Sequence, residues 1–246
     1  MFVVLLNSCS SENNSSSDAI ILPKKIVHVG TNGFGDDVFD YSYVGNKFLE
    51  IKYNQQTFVK YYYDGNLISK VVRYFPDNTK DQETTYQYDN NEKLISEKRN
   101  YFIDNEISVT EIYYTYETDG TILFSKYNGE LNNNGVIIET GKYYYNNNND
   151  MIKSVNTLIS TGEEFTTNYT HDTKNSIFKN VLGWNKIISN FDGKVNNVLT
   201  SSTYNSNGAL LNDSSYYNAY IYNNLNYPTS VSTTINNNTS TVNYFY

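Results

Sequence analysis

The chain has 246 residues, with 26 acidic against 18 basic side chains and a formal net charge of −8. That balance offers no cationic patch to release phosphate counterions and argues against nucleic acid as a partner. One Cys and two His leave no disulfide framework, no cysteine-rich zinc site and little material for a metal centre or catalytic triad, and no apolar run is long enough for a membrane-spanning helix.

Composition sets the fold class. Alanine, the best helix former, occurs only at Ala19, Ala209 and Ala219, while Val, Ile and Thr make up about a quarter of the chain and Tyr alone contributes 26 residues. β-Branched and aromatic side chains suit a pleated surface, so the chain is expected to be all-β. Tyrosine rings can cover neighbouring strands with their hydroxyls in water.

The N-terminus reads Met1-Phe2-Val3-Val4-Leu5-Leu6-Asn7-Ser8-Cys9. Leu6, two small or polar residues and Cys9 resemble a bacterial lipobox, in which the cysteine is acylated. The apolar run before it is shorter than a secretion signal requires, which fits a start assigned too late or a trimmed chain. The Ser/Asn-rich stretch behind Cys9 cannot bury apolar surface and is expected to be a flexible tether. Glu12 resembles the acidic signal that directs some lipoproteins to the outer leaflet. The expected organisation is a truncated signal over 1–9, a tether over 10–22 and one β domain over 23–246. Attachment to the membrane would then be by lipid only.

Beyond the tether, Lys25-Ile26-Val27-His28-Val29 alternates as a strand, which makes His28 a cross-strand residue before a base. Gly30 to Gly35 reads Gly-Thr-Asn-Gly-Phe-Gly, with no helix pattern after it, so a turn is expected in place of a phosphate loop. Asp36, Asp37 and Asp40 lack the alternating oxygen spacing of a calcium loop.

From Tyr41 a unit recurs: Tyr-x-Tyr, a run of turn residues, an aliphatic pair, then a polar run. Clear copies are Tyr61-Tyr62-Tyr63-Asp64-Gly65-Asn66-Leu67-Ile68, Tyr86 to Ile95 and Tyr114 to Leu123, with a longer-turned copy from Tyr143 to Ile152 and weaker ones at Tyr41, Asn168, Asn190, Thr203 and Tyr220. Residues two apart on a strand share a face, so each unit sets two phenol rings side by side before the chain reverses. Asp64-Gly65, Asp119-Gly120, Asn134-Gly135, Asp192-Gly193 and Asn207-Gly208 are further turn signals. Each unit reads as a hairpin, and about sixteen to eighteen strands in an antiparallel up-and-down meander are expected. So long a sheet must curl or close, giving a strongly curved sheet or a wide soluble barrel whose lumen side chains alone cannot fill. Charges on both faces, as with Lys60, Lys70 and Arg73, disfavour a membrane barrel.

One segment breaks the rhythm. Phe178, Val181 and Leu182 follow a helical spacing between Ser176 as a cap and Gly183 as a stop, so a short helix or ordered loop over about 174–184 is expected to plug one end of the sheet. The only Trp, Trp184, lies at its end, and His171 precedes it. His171, Phe178 and Trp184 are the candidate ligand-binding residues, although a hydrophobic plug accounts for the same pattern. Glu163-Glu164 would point to opposite faces of a strand, and no nucleophile elbow or His-Glu-x-x-His motif is present. No catalytic residue, cofactor or metal is assigned, and a non-enzymatic role is expected, by binding a glycan, peptide or protein partner or in surface assembly.

Across residues 40 to 246 the Tyr-x-Tyr-Asp-x-x-Gly-like units resemble those of tyrosine-aspartate repeat proteins. More closely, the chain resembles Bacteroidetes lipoproteins of unknown function that carry such units behind a Ser/Asn-rich tether. The stretch Lys174-Asn175-Ser176-Ile177-Phe178-Lys179-Asn180 is similar to a recurrent insert of that family, usually with Pro in place of Ile177. The resemblance implies a long β-meander, porin-like in outline in some members, at the outer membrane on its surface or periplasmic face. It implies no catalytic residues.

Overall fold

The computed structural model describes residues 20–30, 35–104, 106–188 and 194–246. Cys9, Glu12, most of the 10–22 tether, the interior of the Gly30–Gly35 run, the Asn190 unit and the Asp192-Gly193 turn lie outside the described residues. The strands are β1 (Lys25–His28), β2 (Asp37–Val44), β3 (Lys47–Tyr53), β4 (Gln56–Asp64), β5 (Leu67–Tyr74), β6 (Lys80–Tyr88), β7 (Leu94–Ile103) and β8 (Glu106–Tyr116). They continue as β9 (Ile122–Asn128), β10 (Val136–Tyr145), β11 (Met151–Leu158), β12 (Glu164–His171), β13 (Val198–Tyr204), β14 (Tyr216–Tyr222), β15 (Pro228–Ile235) and β16 (Asn238–Phe245).

Every strand pairs antiparallel with its neighbours in sequence. β1 also pairs with β16, from Lys25↔Phe245 to His28↔Val242, and closes the meander into a barrel. Of the two expected shapes the closed one forms, because closure satisfies the ladder groups that two free edges would expose.

The Tyr-x-Tyr units set the barrel's repeat. Inward rows such as Tyr61, Val71, Thr84 and Arg99 alternate with outward rows that carry Lys60, Glu83 and Asn100. A register shift falls just before the second tyrosine of many units, at Tyr43, Tyr63, Tyr88, Tyr145 and Tyr222. Such bulges bend the strand and increase its twist.

The second tyrosine then ties one hairpin to the preceding one. Tyr43 Oη donates to the Pro23 carbonyl (2.7 Å), Tyr88 to Ile68 (2.8 Å), Tyr116 to Leu94 (3.0 Å) and Tyr246 to Pro228 (2.8 Å). Tyr63 Oη instead accepts from the Phe48 N–H (3.0 Å). The turns after these tyrosines often dispense with glycine. Glu92, Asn149 and Asn226 occupy the left-handed position themselves, while the Asp or Asn opening the turn accepts two backbone N–H bonds, as Asp89 Oδ1 does from Asn91 and Lys93. One glycine is fixed by packing: a Cβ at Gly141 would lie 2.2 Å from the Val155 carbonyl and 2.5 Å from the Phe124 ring, which stacks on Tyr143 at 4.8 Å.

Residues 172–188 and 194–197, between β12 and β13, form the plug. It lies across the rim that carries the turns after β2, β4, β6, β10 and β14. The Leu182 N–H donates to the Asn46 carbonyl (3.0 Å), Asn175 N–H to the Asn226 carbonyl (3.0 Å), and the Val195 and Asn196 N–H groups to Asp150 Oδ1 (3.1 Å each). Asn180 Nδ2 donates to the Ile21 carbonyl at 3.0 Å, so the chain is already docked at Ile21, before the expected end of the tether.

The expected short helix is absent; the alternative, an ordered loop, is what forms. Single turns close at Ser176–Lys179 and Phe178–Val181, and a 3-10 turn covers Trp184–Lys186. Ser176 Oγ donates to the Lys194 carbonyl (3.1 Å) and does not cap a helix. Gly183, at φ 75°, opens the 3-10 turn; a Cβ there would meet the Ile68 nitrogen at 2.8 Å. The segment seals the rim as a loop: Ile177, Val181, Ile187 and Ile188 are buried while Thr173, Lys179 and Asn185 stay exposed, and the Leu182 N–H is spent on the Asn46 carbonyl of a rim turn in place of the i−4 carbonyl that a helix would give it.

Candidate functional site

Between the plug and the wall formed by β1, β2 and β13–β16 lies a chamber of about 440 Å³. Strand β14 supplies Tyr216, Asn218 and Tyr220, which alternate inward at period two. Along the same wall follow Val231, paired with Tyr220, Val242, paired with Val231, and Ile26 of β1, and Ile177 and Phe178 of the plug form its floor. No Asp, Glu, Lys or Arg is among the lining residues described. Polarity comes from tyrosine hydroxyls, Thr233 and the carboxamides of Asn197 and Asn218.

These amides are held in place. Asn218 Nδ2 donates to the Val198 carbonyl (2.9 Å) and its Oδ1 accepts from Thr233 Oγ1 (2.8 Å). Asn197 Nδ2 donates to Asp172 Oδ2 (3.0 Å) and to the Asn175 carbonyl (3.1 Å). Asp172 also accepts a short hydrogen bond from Tyr222 Oη; burial and that carboxylate together raise the Tyr222 phenol well above its ordinary value. The chamber thus offers ring faces and fixed, neutral hydrogen-bonding edges. That combination suits an uncharged, polyhydroxylated or amphipathic ligand.

The three candidate residues separate. Phe178 lines the chamber and packs against Tyr41 (5.7 Å), Phe48 (5.2 Å) and Trp184 (4.9 Å) between ring centroids. Trp184, half-buried, lies behind Phe178 against Phe48 (5.5 Å) and is not among the chamber's lining residues. His171, at the end of β12, pairs in register with Val198 of the chamber wall but is not among the chamber's lining residues; burial lowers its pKa against the opposing pull of Asp150 and Asp172. His28 lines the chamber and meets Phe39 edge to face at 5.3 Å.

Sequence reasoning did not single out Tyr216, Asn218 or Tyr220. The signal was the inward parity of Tyr216-x-Asn218-x-Tyr220-x-Tyr222, obscured by tyrosines in nearly every other strand.

Across the plug the inward wall is charged. Glu97 is 1% exposed; it pairs with Arg99 (2.7 Å) and accepts a short hydrogen bond from Tyr114 Oη. Although burial works against its charge, the Arg99 guanidinium is held charged to a higher pH than usual by that carboxylate. Lys126 and Glu139 pair at 3.2 Å.

Among known proteins, no family model matches the sequence and no curated protein matches it. The fold is similar to that of a porin-like protein from Bacteroides uniformis ATCC 8492, with a TM-score of 0.52 and 12% identity over 90% of this chain and 96% of that one. A second similarity is to a chain of the TcdB2-TccC3-Cdc42 complex, with a TM-score of 0.38 and 17% identity over 83% of this chain and 12% of the other.

Proposed function

We propose that the chain is a lipid-anchored protein of the cell envelope that binds a neutral glycan in the chamber and carries out no chemistry on it. The chamber's lining carries this reading: aromatic faces and locked amide and hydroxyl edges, without a charge to select an ion. The shared fold with a porin-like Bacteroides protein and the lipobox-like Cys9 support an envelope location. The outer wall speaks for attachment by lipid in place of insertion by strands. It carries Lys60, Lys70, Lys98, Lys142 and Lys153 in outward register, and each would cost about 2–4 kcal/mol at a bilayer midplane.

A glycan array with the full chain, repeated with Val231→Phe to fill the chamber, tests the binding. Neutral glycans should be retained by the native chain and lost in the variant. No hits, or hits that survive the filled chamber, would leave a structural or assembly role without a small-molecule site. Mass spectrometry of the native protein for an acyl group on Cys9 tests the anchor.

A further inference from the structure

A second cavity, of about 290 Å³, lies at the plugged rim between the turns after β6, β8 and β10 and the far end of the plug. Its lining is cationic. Lys194 is 6% exposed and its ammonium sits over the Tyr145 ring at 5.2 Å. Among the described residues it has neither a carboxylate at ion-pair distance nor a hydrogen-bond acceptor. Lys93 lies in the same way over Tyr116 at 4.7 Å. Lys186 faces the only carboxylate in the described lining, Glu92, at 3.3 Å in an exposed pair.

The second unusual group is Tyr145. Where Tyr88 and Tyr116 spend their hydroxyls on the carbonyls of the preceding hairpin, the buried Tyr145 hydroxyl has no partner, and the Tyr145 side chain lines the same cavity. A buried ammonium and a buried hydroxyl left unmet each cost free energy that a bound acceptor would recover. The acidic groups that face Lys194 are Asp150 and Glu97. Asp150 Oδ1 is spent on the Val195 and Asn196 N–H groups; its Oδ2 is buried without a partner, and Asp150 is not a lining residue. Glu97 is spent on Arg99 and Tyr114.

We infer that this cavity binds an oxyanion, a carboxylate, sulfate or phosphate group of a ligand, with Lys194 as the buried counter-charge, Tyr145 as a neutral donor and Lys186 and Lys93 on its more exposed side. Charge-assisted hydrogen bonds from ammonium groups are the strong ones, and removing Glu92 from the pairing with Lys186 costs little because exposed pairs are weak. The site is separate from the neutral chamber, so Val231→Phe leaves it intact.

The test is thermal denaturation of the full chain titrated with sodium phosphate, sodium sulfate or sodium glucuronate, at ionic strength held constant with chloride. At least one of the three should raise the melting temperature to saturation, and which one does so separates phosphate, sulfate and carboxylate ligands. The saturable shift should vanish in Lys194→Met, and apparent affinity should fall about tenfold in Lys186→Gln. Absence of saturation with all three anions, or a shift unchanged in Lys194→Met, overturns the assignment. Should Lys194→Met fail to fold, Tyr145→Phe keeps the ring and must weaken binding several-fold. Where sulfate is the stabilising anion, crystals soaked in selenate give an independent readout: an anomalous peak within hydrogen-bond reach of Lys194 Nζ supports the site, and its absence refutes it.

Discussion

At the scale of single residues, the paired tyrosines do two kinds of work. The first of each pair packs: Tyr61 stacks on Phe48 at 4.6 Å and Tyr143 on Phe124. The second reaches back toward the preceding hairpin. Burial raises these phenols, Tyr63 and Tyr116 to about 12, so they remain neutral donors or acceptors across the ordinary pH range. The Ile68 carbonyl belongs to a residue with no exposed surface, and Tyr88→Phe would strip its hydroxyl donor. That substitution should cost about 1–2 kcal/mol. Tyr145→Phe, which removes a hydroxyl without a protein partner, should be neutral or slightly stabilising in the absence of ligand. Chemical denaturation of the two variants checks the contrast; equal losses would show that the hydroxyls do not tie hairpins together.

At the scale of elements, the plug replaces the core that a wide barrel lacks. Sixteen strands enclose more space than their side chains fill, and residues 172–188 and 194–197 occupy part of it, floor the neutral chamber and place Lys194 inside the wall. The Lys194 ammonium is brought down to about 8 from the 10.5 of an exposed lysine by burial, against the pull of Asp150 and Glu97. Between those two values the unfolded chain binds more protons than the folded one, so this lysine's contribution to stability rises with pH across that window. Below about pH 8 both states carry the proton and its penalty is full. Lys194→Met should therefore be more stable than the native chain at pH 7, by up to about 3 kcal/mol, with the advantage shrinking by pH 10. Denaturation midpoints at the two pH values give the comparison, and an advantage independent of pH would show that the lysine is not buried as a charge.

At the scale of the molecule, the chain solves its edge problem by closure. Pairing of β1 with both β2 and β16 brings residues 25–28 to residues 242–245, while all other strand pairs join sequence neighbours. Removing residues 1–30 should expose β2 and β16 as free edges, which are templates for association. The shortened chain should elute as oligomers or aggregates in size-exclusion chromatography; a stable monomer would show that the open meander protects its own edges.

Local chemistry made much of this legible. Tyr-x-Tyr spacing and Asp/Asn/Gly turns are determined within a few residues, so strand order, hairpin positions and the break near 174–184 follow from the sequence by itself, as does the approximate strand number. Three matters belonged to the tertiary structure alone. Whether the meander closes depends on twist and bulges accumulated over sixteen strands. Whether Phe178, Val181 and Leu182 form a helix depends on what the segment docks against, and a rim turn took the Leu182 N–H that a helix would have paired internally. Trp184 and His171 lie outside the neutral chamber, while Tyr216, Asn218 and Tyr220 line it and Lys194 with Tyr145 lines the cationic cavity, because a site inside a barrel is assembled from inward positions distant in sequence and no spacing rule connects them.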